Sequence, residues 1–225
     1  MSCGEDTEAD ARFCATCWPE AHFIAGLVCE SCGVPLPGEE DEQHAFCEAC
    51  HSFPPAWRRG RAVALYEGPV RRMVLALKHG DRMDVALPAA GWMSQAAKEL
   101  VTPETIVTAV PLHWRRFLSR RFNQSAALGK PVAQKLGLPF VPDGLKRIRP
   151  TIMQKDMTRE ERFANQRDAI RINPRQAGRL AGRPVLIVDD VMTTGATLCA
   201  CAEACLANKS TNVNVVVLAR VARAE

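Results

Sequence analysis

One segment of the chain combines the residue types needed to grip a phosphorylated sugar: Val185-Leu-Ile-Val-Asp-Asp-Val-Met-Thr-Thr-Gly-Ala-Thr197. An apolar run that reads as a buried strand leads into two acids, and a loop of small residues then opens a helix. Thr193, Thr194, Gly195, Ala196 and Thr197 offer hydroxyls and backbone N–H groups at a helix N-terminus, a setting that favours a phosphate monoester. Gly195 permits close approach of the backbone. Asp189 and Asp190, at the carboxyl end of the strand, can accept hydrogen bonds from vicinal ribose hydroxyls, and ligands of open α/β sheets bind at that edge. A lone acidic pair after a strand says little. The complete string is specific.

A second chemistry lies in the cysteines. Seven of the ten fall in the first fifty residues: Cys3, Cys14, Cys17, Cys29, Cys32, Cys47 and Cys50. A C-x-x-C knuckle presents two thiolates on one tight turn, and two knuckles complete a tetrahedral zinc site. Cys29, Cys32, Cys47 and Cys50 have zinc-ribbon spacing, with Gly33 placed for a left-handed turn. Four cysteines leave no open position for a substrate, so the zinc is expected to be structural. Cys3, Cys14 and Cys17 outline a second zinc site that is one thiolate short. Its fourth place falls to a residue before Met1, to His22 or to water, or the site is empty. Cys199, Cys201 and Cys205 read as small packing residues on a helix.

The elements that must position these residues follow from composition and periodicity. The 225 residues are 47% hydrophobic and 24% charged, enough chain to bury a core in one large domain or a domain with an appendage. Charge is unevenly spread. Residues 1–52 carry eleven acids against one arginine, whereas residues 110–175 carry fifteen Lys/Arg against five Asp/Glu. Such a basic surplus favours a polyanion or a phosphorylated ligand. The longest apolar stretches, such as 213–221, are too short and too interrupted to span a bilayer. The acidic start is not a secretory signal, so a cytoplasmic protein is expected.

Phe53-Pro-Pro marks a boundary between a ribbon region, 1–52, and a larger domain, 53–225. In the latter, strands are expected at 61–66, 105–110, 185–188 and 213–219, and helices at 70–78, 85–100, 124–136 and 197–207. Residues 147–167 read as a basic loop with a short helix near 159–166. Alternating strands and helices imply a mostly parallel sheet covered on both faces.

The thirteen-residue string resembles the phosphoribosyl pyrophosphate fingerprint of type I phosphoribosyltransferases. The chain as a whole is similar to the ComF/GntX family, in its cysteine knuckles, Tyr66-Glu-Gly-Pro-Val-Arg71, Leu77-Lys78, Val110-Pro-Leu-His113, Arg120-Arg-Phe-Asn-Gln124 and Arg159-Glu-Glu-Arg162. The resemblance implies a type I phosphoribosyltransferase-like α/β fold behind an N-terminal double zinc ribbon. It implies that Asp189 and Asp190 hold the ribose and residues 193–197 the 5′-phosphate. Lys78 and the turn Pro111, Leu112 and His113 would lie near the pyrophosphate, with Mg2+ neutralising it. The basic 147–162 segment would correspond to the loop closing over the site. One departure is Arg121, which stands where the family carries glycine.

The resemblance further implies a role in DNA uptake and natural transformation, with single-stranded DNA and DNA-uptake proteins as partners. Arg115, Arg116, Arg120 and Arg121, with Trp114, Phe117 and Phe122 among them, suit strand tracking and base stacking, or the aromatics are core residues. Two alternatives remain. One is an active phosphoribosyltransferase whose acceptor the sequence does not name. The other is a ligand-sensing regulator docked to a protein through the acidic ribbon region.

Overall fold

A computed structural model describes residues 13–38, 45–79, 83–112, 122–150 and 158–222. Cys3, His113, Trp114, Arg115, Arg116, Phe117, Arg120 and Arg121 lie outside the described residues, as do residues 151–157 of the basic loop.

Five parallel strands form the central sheet: β1 (Gly60–Leu65), β2 (Ile106–Ala109), β3 (Phe140–Val141), β6 (Pro184–Met192) and β7 (Asn212–Arg220). They lie in the order β1-β7-β6-β2-β3, and all four pairings are parallel. A separate antiparallel pair joins β4 (Leu145–Arg147) to β5 (Ile170–Ile172). The helices that matter for the site are α3 (Gly68–His79), α4 (Ala86–Ala97), α5 (Gln124–Leu136), α6 (Arg159–Gln166) and α8 (Ala196–Ala207). Short turns of helix lie at Cys17–Glu20 (α1), Glu48–Ser52 (α2) and Ala177–Leu180 (α7).

Both faces of the sheet are covered, because alternate residues of a strand point to opposite sides. On β6, Leu186 and Val188 join a cluster with Met73, Val74 and Leu77 of α3, Met93 of α4 and Leu128 of α5. Val185 and Ile187 join the other cluster, with Leu198, Cys201 and Cys205 of α8. The spacing of Val70, Met73, Val74 and Leu77 thus places one stripe of α3 in the core, all four being buried.

The described residues of the ribbon region do not stand apart from this core. Phe13, Cys14 and Cys17 belong to one buried cluster, Cys29, Cys32 and Cys50 to the other. β1 is an edge strand, and an exposed edge invites pairing with other chains. Here residues 22–24 cover it: Phe23 bridges Ala64, Ile24 N–H donates to the Val63 carbonyl at 2.9 Å, and Leu65 N–H donates to the His22 carbonyl at 2.9 Å. Gly60 is required where the knuckle crosses, since a Cβ there would stand 2.4 Å from the Ser31 carbonyl oxygen. Glu30 then reaches Arg59 and Arg61, which also bind Glu99.

Two strand expectations need adjusting. β6 does not stop at Val188 but runs through both acids to Met192, because β7 continues beside it (Asp189↔Val217, Met192↔Arg220). β3, β4 and β5 were not anticipated; two or three residues are too few to display an alternation.

Candidate phosphoribosyl site and zinc ribbon

β2 ends level with Val188, and Val110 N–H donates to the Val188 carbonyl at 3.1 Å. One flank of β6 is therefore vacated where Asp189 and Asp190 emerge. The N-terminus of α5 fills it. Asn123 caps this helix by accepting from the Ser125 and Ala126 N–H groups, and its own Nδ2 donates to the Val110 carbonyl at 3.0 Å. Ser125, thus held in the first turn, donates its hydroxyl to Asp189 Oδ1 at 2.7 Å. That oxygen also accepts the Asp190 N–H at 2.9 Å. The sequence pattern highlighted Asn123 and Gln124 but passed over Ser125, whose role depends on a contact 64 residues away.

Asp189 and Asp190 are both buried, and α3 brings Lys78 Nζ to 3.6 Å from Asp190 Oδ2. The same ammonium lies 5.9 Å from the centre of the Tyr66 ring. Asp190 Oδ2 is buried without a hydrogen-bond donor. Burial, then the neighbouring Asp190 charge, push the Asp189 carboxyl up to about 7, against the opposing pull of Ser125 and Lys78. The pair therefore holds acceptor atoms in a dry setting with too few donors.

Beyond Met192 the chain turns at Thr193 and Thr194 into Gly195, whose φ of +81° suits a residue without a side chain. α8 starts at Ala196, and its first internal hydrogen bond runs from Cys199 N–H to the Gly195 carbonyl. The N–H groups ahead of Cys199 have no partner inside the helix, which is the donor set an anion needs. Pro111 and Leu112 follow β2, and the Pro111 carbonyl accepts from Arg147 Nε at 3.4 Å. Arg147 also donates to Gln166 of α6 at 2.7 Å, so both described ends of the basic segment meet near this turn.

The four cysteines Cys29, Cys32, Cys47 and Cys50 converge, all their sulfurs lying within 4.8 Å of one another. Cys32 Sγ and Cys47 Sγ are 3.7 Å apart. Tetrahedral zinc with bonds of about 2.3 Å requires sulfurs about 3.8 Å apart, so the set fits the metal. Hydrogen bonding from Cys32, then from Cys50, holds the Cys29 thiol below its ordinary range, and the same bonds push the Cys32 and Cys50 thiols up. The chain binds zinc through this cluster. Of the other site, Cys14 and Cys17 are buried, and His22 Nδ1 is engaged by Glu67. Cys201 and Cys205 are fully buried on α8, and burial pushes the Cys205 thiol up to about 12, which suits packing rather than reactivity.

Parallel order, acid pair and phosphate-type loop define a phosphoribosyltransferase-like protein fused to a zinc ribbon. Comparison with known proteins agrees: the double zinc ribbon domain matches residues 1–51 and the phosphoribosyl transferase domain residues 123–225. The DNA utilization protein YhgH of Escherichia coli O157:H7 is 31% identical over 92% of this chain and 89% of its own length. The Salmonella typhi protein of that name is 33% identical over 86% and 84%. Competence protein F of Haemophilus influenzae is 24% identical over 82% and 86%. The chain belongs to the ComF/GntX family. Among solved structures, an allosteric regulatory enzyme of purine biosynthesis aligns with 64% of this chain and 30% of its own, at 20% identity and a TM-score of 0.40. A hypoxanthine phosphoribosyltransferase from Staphylococcus aureus aligns with 64% and 70%, at 14% identity and a TM-score of 0.38.

Among the described residues, no helix is long and apolar enough to cross a membrane.

Proposed function

We propose that the chain binds phosphoribosyl pyrophosphate and acts on single-stranded DNA in the cytoplasm during DNA uptake. The ligand reading is carried by one observation, the buried and undonated Asp190 Oδ2 beside Asp189 and Lys78. A buried acceptor left without a donor costs about 1–3 kcal/mol, a cost that a ribose hydroxyl would remove. Asp189 and Asp190 would take the ribose hydroxyls, and the N–H groups and hydroxyls of residues 193–197 the 5′-phosphate. Lys78 and the turn at Pro111, Leu112 and His113 would lie toward the pyrophosphate. The oxygen donors of the acid pair suit Mg2+, which when bound neutralises charge on the leaving pyrophosphate.

Calorimetric titration of zinc-loaded protein with phosphoribosyl pyrophosphate and Mg2+ tests this. Saturable binding is expected, and the double substitution Asp189→Asn with Asp190→Asn should weaken it by more than about 100-fold, since charge-assisted hydrogen bonds contribute about 1.5–3 kcal/mol each. Undiminished binding in the double variant would mean that the loop holds only a bare phosphate.

The DNA part of the reading is supported by the names of the relatives and by the fifteen Lys/Arg against five Asp/Glu in residues 110–175. Replacing Arg115, Arg116, Arg120 and Arg121 by alanine should weaken single-stranded DNA binding. It should also flatten the plot of log affinity against log salt by about 3, at roughly 0.7 per phosphate contact. An unchanged slope would remove these arginines from the DNA face.

A second reading, transfer of the phosphoribosyl group to an acceptor, is favoured by a cavity of about 610 Å3 between ribbon and loop. Val34, Leu36, Phe53, Trp57 and Phe163 line it together with Thr193 and Thr194. Its size suits a ring-bearing acceptor. Pyrophosphate release that depends on one added acceptor would establish turnover, and no release with any acceptor would assign the protein a binding role.

A further inference from the structure

The first knuckle of the zinc ribbon touches the phosphate-type loop through two side chains that the sequence pattern does not mark. Trp57, just past the Phe53-Pro-Pro boundary, is 5% exposed. Its indole Nε1–H donates at 2.6 Å to the carbonyl of Ser31, which lies between Cys29 and Cys32. The far edge of the same ring rests on Gly195, where a Cβ would stand only 2.8 Å from it. Arg220, the last residue of β7, makes the second connection. Its Nη1 donates to the carbonyls of Thr193 at 2.6 Å and Met192 at 3.2 Å, and to that of Val221 at 2.7 Å. Its Nη2 stands 3.8 Å from the Cys32 sulfur.

These contacts bear on where the loop's donors point. A peptide unit is planar and trans, so its carbonyl and its N–H are directed oppositely. By holding the Thr193 carbonyl, Arg220 sets the direction of the Thr194 N–H. By resting on Gly195, Trp57 limits the one loop residue with the widest backbone freedom. Both side chains are anchored on a tight turn that a metal cross-links through Cys29 and Cys32. The Glu30 N–H also ties that turn to the second ribbon segment, donating to the Ala45 carbonyl at 2.8 Å, so loss of the metal would loosen the base of both anchors rather than free it.

We propose that Trp57 and Arg220 are positioning residues that couple the zinc knuckle to the phosphate loop, so that zinc at the four cysteines and a phosphoribosyl ligand at residues 193–197 each strengthen binding of the other. The proposal rests on the reading of the loop as a phosphoribosyl site. Coupling between two sites is reciprocal, so it can be read from the zinc side, where a loss of packing alone would not register.

The experiment measures the zinc affinity of the full chain by equilibrium competition with a chelator, at fixed excess Mg2+, with and without saturating phosphoribosyl pyrophosphate. In the unsubstituted protein the ligand should raise zinc affinity about tenfold, within the usual range for coupled sites. Any binding of zinc by the ligand itself would act in the opposite direction. In Arg220→Gln and in Trp57→Phe the increase should fall below about twofold, while each variant still takes up its full zinc at saturation. A zinc affinity that does not respond in the unsubstituted protein, although calorimetry shows the ligand bound, overturns the coupling. So does an undiminished response in both variants. If calorimetry shows no ligand bound to zinc-loaded protein, the reading of the loop fails, and the coupling falls with it.

Discussion

Among the described residues, two clusters of charge are built on opposite terms, one partly exposed and one buried. At the ribbon, Glu30 and Glu99 face Arg59 and Arg61 in a closed square. Arg59 donates to Glu30 at 2.6 Å and to Glu99 at 2.7 Å, and Arg61 donates to both at 2.6 Å. At the carboxyl end of β6, Asp189 lies beside Asp190, whose Oδ2 is 3.6 Å from the Lys78 ammonium and has no hydrogen-bond donor. The titration of the acids follows. Burial works against ionisation of Glu30, but the hydrogen bonds from Arg59 and Arg61 outweigh it and hold the carboxyl below its usual range. At Asp189, burial and then the Asp190 charge outweigh the hydrogen bonds from Ser125 and the Asp190 N–H and the pull of Lys78, and push the carboxyl up to about 7. A balanced cluster fastens one part of the fold to another. An unbalanced one keeps free valence for something the chain does not itself contain.

The contrast can be broken first at the balanced end. Glu30→Gln leaves two guanidinium groups, both with side chains no more than 25% exposed, sharing one carboxylate. Removing one partner from this partly buried set should lower stability by about 1–2 kcal/mol, between the surface-pair and buried-pair limits, read from denaturant unfolding of zinc-loaded protein. The folded-state pKa of Glu30 lies below its unfolded value. Its contribution is therefore complete above the unfolded value and is lost as pH falls through the folded one, so the gap between the two proteins should close in acid. A loss under about 0.5 kcal/mol at neutral pH would class the square with ordinary surface pairs.

The unbalanced end predicts a change of opposite sign. Asp189→Asn keeps an oxygen to accept from Ser125 Oγ and removes the poorly compensated charge. Because the folded pKa lies above the unfolded one, the native state holds more protons between roughly pH 4 and pH 7. Native stability therefore declines with rising pH across that window, and the penalty is complete above it. The asparagine variant should be more stable by about 2 kcal/mol at pH 8, and the advantage should vanish near pH 4. A variant less stable at pH 8 would show Asp189 to be held for structure, like Glu30.

How much of this was legible in sequence depends on how far apart the interacting residues lie. The string from Val185 to Thr197 and the four ribbon cysteines are local patterns with chemistry at fixed spacing, and they could be read directly. So could α5 and α6, expected at 124–136 and near 159–166 and found there. Trp57, Ser125 and Arg220 could not be read, because each acquires its role from a contact with a distant segment. A lone tryptophan after a proline pair has no pattern to announce that it spans from Ser31 to Gly195. The continuation of β6 through its acids was hidden for a related reason. A strand reads as apolar only where both neighbours cover it, and beyond Val188 only β7 continues. The docking of the ribbon on β1 is likewise a tertiary matter, signalled only by Gly60.

The smallest expected effect sharpens the comparison most, because it reports the free valence itself. Ribose hydroxyls donating to the acid pair would favour the ionised carboxylates and so lower the pKa of Asp189 from about 7. Ligand binding should then expel protons, about half a proton from this group near pH 7 and none near pH 9, where it is already ionised. Calorimetric titrations in buffers of different ionisation enthalpy measure that number directly. The ligand's own phosphate groups titrate as well, so the decisive quantity is the difference between the unsubstituted protein and Asp189→Asn at saturating ligand. That difference should be positive at pH 7 and absent at pH 9. Glu30→Gln should leave it unchanged, since the paired cluster gains no new partner when ligand binds. Equal proton release in all three proteins would mean that Asp189 does not meet the ligand, and the imbalance at the end of β6 would then need another occupant.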